Sequence, residues 1–331
     1  MTTAIIECSA FIFVGDPHVT TRKPGRRKDV DFGSTVIGKM EQIVDIANEH
    51  DAQIVYLGDM FDRCHEEDES LKVRLMRLWR RAKYVPVGID GNHDKGSTIL
   101  SDRDSLAVLR ESERINLTTA AGPIGRFRIG GVTLGLGGSP HGQEIPSDVA
   151  GVFEDVDGVI WITHEDLAFD GAYPGAQDLR EIKGVQLVVN GHMHLTKPIR
   201  QVGETMWFNP GNITRMAVDA ADHVPAVWKF DPVNGIERIE LAYVKDIFDM
   251  TGRLVASVSP GEMPLAELPQ TEAESAFVEL LRAENTSEIE KTLDGSALLE
   301  EMIERFESEK TPADVRHLLL SLHRQAMETA A

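Results

Sequence analysis

Cysteine is nearly missing from this chain. Cys8 and Cys64 are the two in 331 residues, which excludes a disulfide framework and a zinc site built on four thiolates. It fits a reducing, cytoplasmic setting. Long apolar runs are also lacking: none approaches the ~18 residues that a membrane-spanning helix needs, so no membrane partner is expected. The first fifteen residues have no basic leader and no small-residue cleavage pattern, and they read as a strand rather than a signal peptide. Positive charge is scarce, with 34 Lys and Arg against 54 Asp and Glu, a net charge of −20. That excludes indiscriminate coating of nucleic acid or of anionic membranes. It leaves room for a local basic groove and for bound cations. The imbalance is uneven: residues 261–331 carry 16 acidic and 6 basic side chains. Internal repeats and low-complexity tracts are absent from the sequence.

What is present suffices for a core. Hydrophobic residues make up 42% of the chain, too many for wholesale disorder, and the length suggests about two domains. Apolar runs rich in Val and Ile fall at residues 10–14, 54–57, 84–89, 132–136, 159–162, 185–189 and 226–230, and they end in Gly, Asp, Asn or His. They read as buried strands. Between the first two, Val36, Met40, Ile43, Val44 and Ala47 repeat at the spacing of a core-facing helical stripe, and Leu71, Leu75 and Leu78 do so later. Strand–helix–strand alternation predicts an α/β domain over residues 1–248. Residues 127–136 read as a hairpin turning on Gly130-Gly131. Pro140 and Pro146 argue against a nucleotide-binding loop there. Gly252, Pro260, Gly261, Pro264 and Pro269 mark a linker at 249–270. The remainder, 271–331, reads as a helical tail. Ser296 is a helix cap, Thr311-Pro312-Ala313-Asp314 is a helix start, and Leu298, Leu299, Met302, Ile303, Phe306, Leu318, Leu319 and Leu322 supply apolar stripes.

Five short motifs sit at or just after strand ends: Gly15-Asp16-Pro17-His18, Gly58-Asp59-Met60-Phe61-Asp62-Arg63, Gly91-Asn92-His93-Asp94, Thr163-His164, and Asn190-Gly191-His192-Met193-His194. Polar residues there point into the crevice above a sheet, where α/β folds bind ligands. Each motif alone is weak, since a lone strand-end His is usually structural. Five of the eleven histidines fall in this ordered set. Asp, His and Asn without thiolate suit divalent ions such as Mn, Fe or Zn. The alternate spacing of Asp16 with His18, and of His192 with His194, puts each pair on one side of extended chain. Two such pairs with one central Asp and one Asn would make a cage for two ions, able to activate water and neutralise a phosphoryl group.

On these motifs, residues 10–215 resemble the calcineurin-like metallophosphoesterases. The resemblance implies a four-layer αββα sandwich, here followed by a small α-helical C-terminal segment. It implies Asp16, His18 and His194 on one ion, Asn92, His164 and His192 on the other, and Asp59 between them. It gives His93 the protonation of the leaving oxygen or the stabilisation of transition-state charge, with Asp94 orienting it. The layout is most similar to the SbcD-type nuclease subunit of double-strand-break repair complexes. Gly-Asn-His-Asp replaces the Gly-Asn-His-Glu of protein phosphatases. Arg22, Lys23, Arg26, Arg27 and Lys28 open the insert between the first two motifs, and Asn209-Pro210-Gly211-Asn212-Ile213-Thr214-Arg215 follows the last. The acidic tail resembles the segment that docks such nucleases on a coiled-coil, SbcC-type ATPase. Asp62 stands where many of these nucleases carry a His.

The expected function is therefore Mn2+-dependent cleavage of DNA, exonucleolytic or endonucleolytic, within an ATPase-linked repair or recombination complex. The alternatives are a small-molecule or cyclic-nucleotide phosphodiesterase, and a catalytically weak scaffold working through its tail. The basic residues between Lys72 and Lys83 read as a solvated helix face, Trp79 as a core anchor, and His65 and His141 as ordinary surface residues. The tail stripes would cover themselves against a partner, a second copy or the catalytic domain.

Overall fold

The computed structural model describes residues 5–171 and 175–250, together with Ile303, Phe306, Arg316, Leu319 and Leu320. The chain divides into two units, one of Met1–Pro24 with Lys28–Ile247, the other of Gly25–Arg27 with Phe248–Ala331. In the second, Arg27 and Phe248 form an isolated antiparallel bridge and the five isolated tail residues are helical. The expected linker beyond residue 250 and the rest of the tail lie outside the described residues. No helix among the described residues is long and apolar enough to cross a membrane.

The first unit runs β1 (Ile5–Glu7), β2 (Ala10–Val14), α1 (Phe32–Glu49), β3 (Ala52–Tyr56), α2 (Glu69–Trp79), β4 (Val87–Ile89), α3 (Ser105–Glu111), β5 (Asn116–Thr118), β6 (Gly122–Ile129) and β7 (Val132–Ser139). It continues through β8 (Gly158–Thr163), β9 (Leu187–Asn190), β10 (Lys197–Val202), β11 (Thr205–Asn209), β12 (Ala226–Asp231) and β13 (Gly235–Glu240). Each of the seven apolar runs overlaps a strand. β6 and β7 pair antiparallel, and Gly130 and Gly131, at φ 57° and 85°, make the expected tight turn.

Two sheets result. A six-stranded sheet has the order β13-β12-β2-β3-β4-β5, and a seven-stranded sheet the order β1-β6-β7-β8-β9-β11-β10. Period-two alternation divides the side chains of β2 between two cores. Phe11 and Phe13 face the second sheet, where Phe11 meets Phe127 edge-on at 5.0 Å. Ile12 and Val14 face the helices. Fully burying a side chain of this size contributes roughly 1.5–3 kcal/mol. On α1 the predicted stripe of Val36, Met40, Ile43, Val44 and Ala47 is buried against that outer face, and Leu71, Leu75, Leu78 and Trp79 of α2 join it. Asp31 caps α1 by accepting the Ser34 N–H at 2.9 Å. The mixed α/β class with two facing sheets is as expected. The fourth layer differs: among the described residues no helix covers the outer face of the second sheet. Irregular chain does, packing Ile145, Val149, Leu167, Phe169 and Ile182 on Trp161, Val188 and Trp207.

β2, β3 and β4 run parallel in one sheet, and β8 and β9 run parallel in the other. Val14 is in register with Tyr56, Tyr56 with Gly88, and Thr163 with Asn190. The chain therefore leaves five strands at their carboxyl ends, and those exits carry the five motifs.

Candidate metal centre

The exits are locally strained. Seven non-glycine residues among those described have positive φ, and four of them are Asp16 (21°), His18 (48°), Asp59 (49°) and His192 (69°). Left-handed backbone at such residues costs on the order of 1–3 kcal/mol and persists where the surroundings enforce it, commonly at functional sites. Gly91 shows one reason: a Cβ there would overlap the Asp59 carboxylate.

All nine sequence-predicted site residues come to one place. Asp16, His18 and His194 bring one ligand atom each within 4.8 Å of one another, as do Asp59, His164 and His192, and His18, Asp59 and His93. His18 Nε2 and His194 Nε2 are 2.9 Å apart. Asn92 Oδ1 lies 3.2 Å from His164 Nε2 and 3.1 Å from His192 Nδ1, and Asp59 Oδ2 lies 3.2 Å from His164 Nε2. Asp59 is thus common to both ends. His164 Nδ1 donates to the Leu57 carbonyl at 2.7 Å, which turns Nε2 towards Asp59 and Asn92. His93 Nδ1 donates to the Asp62 carbonyl at 2.7 Å, and its backbone N–H donates to Asp59 Oδ1 at 2.9 Å. The carbonyl of Asp62 thus orients the His93 ring. Asp94 works on the backbone, accepting the N–H groups of Phe61 and Gly91, each at 3.0 Å.

These residues fit a pair of divalent ions. Both oxygens of the buried Asp16 carboxylate lack a hydrogen-bond partner, as does His18 Nδ1, an arrangement that is costly without a cation. Burial alone would push the Asp16 carboxyl up, and it stands at about 6. Burial and His194 hold His18 well below its usual range, and burial brings His194 down to about 4, so both rings are neutral lone-pair donors at neutral pH. Burial is outweighed at His164, which Asp59 and Asp16 raise to about 10, and at Asp59, which His164 holds well below the carboxylate range. The ligand cage thus carries a proton where a cation would supply positive charge.

Three residues outside the predicted site set also stand at the centre. Asp166 Oδ2 lies 3.3 Å from His192 Nε2. The Asp62 carboxyl lies 3.8 Å from His18 Nδ1 and is raised by burial against the pull of His93, Arg22 and Arg63, which places two cationic side chains in the field of the centre. His141, expected on the surface, is half-buried with its ring 6.0 Å from that of His164 and 5.7 Å from that of His192. The available signal was its place just beyond an apolar strand, the same position that marks the five motifs. His65 is exposed and Trp79 is core, as expected. Lys72 pairs with Glu69 at 2.7 Å, Arg81 with Asp45 at 2.6 Å, and Lys83 with Asp51. Lys28 pairs with Asp246 at 2.9 Å.

The profile of the calcineurin-like phosphoesterases matches residues 9–195, more than half of the chain. The chain belongs to that family. That family comprises metal-dependent phosphoester hydrolases that use two divalent metals, and the described residues supply candidate ligand groups for them. No curated protein matches the chain. Among solved structures, a 5'-nucleotidase precursor from Thermus thermophilus is similar at 14% identity and a TM-score of 0.42, over 70% of this chain and 54% of that one. The calcineurin-like phosphoesterase YfkN from Bacillus subtilis is similar at 12% identity and 0.42, over 73% and 92%. A Staphylococcus aureus chain solved in complex with alpha-ketoglutarate is similar at 14% identity and 0.40, over 75% and 56%. This phosphoesterase spans little more than half the length of the Thermus and Staphylococcus chains.

Proposed function

We propose that this phosphoesterase is a two-metal phosphodiesterase acting on DNA, the nuclease subunit of an ATPase-linked repair or recombination complex. The observation that carries the hydrolytic part is the convergence of Asp16, His18, Asp59, Asn92, His164, His192 and His194 at the carboxyl ends of five strands from two sheets. DNA as substrate is supported by the Gly91-Asn92-His93-Asp94 motif and by the basic segment at 22–28, whose Arg22 acts on Asp62 beside His18. In this reading the acidic helical tail docks on a coiled-coil, SbcC-type ATPase, and a homodimer is a further arrangement of the same stripes.

Asp16, His18 and His194 would hold one ion and Asn92, His164 and His192 the other, with Asp59 reaching both. When bound, the ions, Mn2+ in this reading with Fe or Zn as alternatives, supply Lewis acidity and make water nucleophilic at neutral pH. The protein adds the proton. With Nδ1 committed to Asp62, His93 keeps Nε2 for the substrate. Burial would lower this ring, and Asp59 and the Asp62 carbonyl outweigh it, so its pKa is raised. A raised imidazole beside the phosphoryl group suits donation to the departing oxygen.

A second reading, a small-molecule or cyclic-nucleotide phosphodiesterase, has one observation in its favour. A cavity of about 870 Å³ opens between the loops that follow Asp62 and Asp94, bordered by Cys64, His65, Gly96 and Asp104. Hydrolysis with Mn2+ of labelled duplex DNA, single-stranded DNA and bis-p-nitrophenyl phosphate separates the two, with His93→Ala as control. Cleavage of DNA that disappears in the variant supports the nuclease. Cleavage of the small diester alone, with the ATPase partner present, overturns it.

A further inference from the structure

His141 stands outside every role assigned so far. It occupies the turn after β7, between Pro140 and Gly142, whose φ of 77° bends the chain back. Its backbone N–H donates to the Asp90 carbonyl at 3.2 Å, and its own carbonyl accepts from Lys95 Nζ at 2.7 Å. Lys95 also closes a buried ion pair with Asp90 at 2.6 Å. On the other side, the Gly142 N–H donates to Glu165 Oε1 at 2.6 Å. The turn is therefore pinned both to the segment that carries Asn92 and to the one that carries His164.

The pinned ring has nothing to do within the protein. Among the described residues neither of its nitrogens has a hydrogen-bond partner. It is not one of the converging ligand groups either, whose atoms all lie within 4.8 Å of one another. It stands 5.7 Å from the His192 ring and 6.0 Å from the His164 ring, centre to centre. At the other end of the centre, His93 stands 5.0 Å from the His18 ring. An imidazole carries an N–H in either protonation state. A donor fixed in advance next to a site for an anion strengthens binding without reorganisation.

We infer that His141 is a substrate contact, its ring N–H donating to an oxygen of the phosphoryl group bound at the His164–His192 end of the centre. The inference rests on phosphoester hydrolysis at this site and not on DNA as the substrate.

Two titrations of the full chain test it: Mn2+ into the metal-free protein, and orthophosphate into the Mn2+-loaded protein. Hydrolysis of bis-p-nitrophenyl phosphate is followed alongside. In His141→Ala, phosphate affinity and kcat/KM should each fall about tenfold, the loss of one hydrogen bond to a charged group. His141→Gln, which keeps an N–H, should recover part of both. Mn2+ stoichiometry and affinity should match the wild type. Loss of one ion in His141→Ala would make the ring a metal ligand and overturn the inference. Unchanged phosphate affinity would make it a bystander and overturn it equally. Because neither titration involves DNA, a protein that leaves DNA intact yet loses phosphate affinity in His141→Ala refutes the nuclease and keeps this contact.

Discussion

Asp166 faces His192 Nε2 at 3.3 Å, and Asn92 Oδ1 faces the same ring's Nδ1 at 3.1 Å. A carboxylate behind a ligand imidazole fixes its tautomer and ring orientation, and removing one typically costs about 10–100-fold in metal affinity. The Asp166 side chain is half-exposed, so the lower end applies. Asp166→Asn should weaken Mn2+ binding about tenfold by calorimetry, and an unchanged constant would show that Asn92 alone orients the ring. His164 gives a second expectation. Burial would lower it, but Asp59 and Asp16 hold it up to about 10 in the metal-free chain. It is therefore protonated between pH 6 and 9, and an ion taking Nε2 must expel that proton. Mn2+ affinity should rise with pH across this window, and calorimetry in buffers of different ionisation enthalpy should register proton release. Binding that is flat in pH with no release would place the ion away from His164.

At the scale of elements, the strands legible in the sequence are those buried on both faces. β2, β3, β4, β8 and β9 have no exposed position, so they read as unbroken apolar runs, and the residues that end them read as a site. β10 and β13 lie at sheet edges with mixed burial, and nothing in their composition sets them apart from loops. The irregular cover of the second sheet was invisible for a related reason: Ile145, Val149, Leu167 and Phe169 are spaced by tertiary contact and not by a helical period. His141 lacks a neighbouring ligand residue in sequence, so its place at the centre comes from the turn alone. That turn depends on the buried Lys95–Asp90 pair, in which Asp90 is raised by burial even with Lys95 beside it. Lys95→Met leaves that carboxylate buried and unpaired, a change that costs about 3–5 kcal/mol. Denaturant unfolding at pH 7 should show that loss. It should shrink as the pH falls through the raised pKa and Asp90 takes up a proton. Lys95→Met combined with Asp90→Leu should restore most of it, because replacing both members of a buried pair is often close to neutral. A double variant as unstable as the single one would locate the damage in packing.

For the whole molecule, a net charge of −20 sets a limit on how DNA could be held. Several of its cations are already matched within the fold: Lys72 by Glu69, Arg81 by Asp45, Lys83 by Asp51 and Lys28 by Asp246. A duplex brought to this chain would be gripped chiefly at the metal centre, with few basic side chains to add to it. Each phosphate neutralised by a basic side chain contributes roughly −0.9 to the slope of log K against log salt. Three or four contacts would give a slope of about −3 to −4. Binding should also vanish on chelation, because without the ions the acidic surface repels the duplex. Fluorescence anisotropy with a labelled duplex and His93→Ala protein, over a salt series with and without chelator, measures both quantities. A slope near about −8, or affinity that survives chelation, would mean that DNA is held on a broad basic face away from the metals, and the proposed route of the substrate to Asp59 would have to be abandoned.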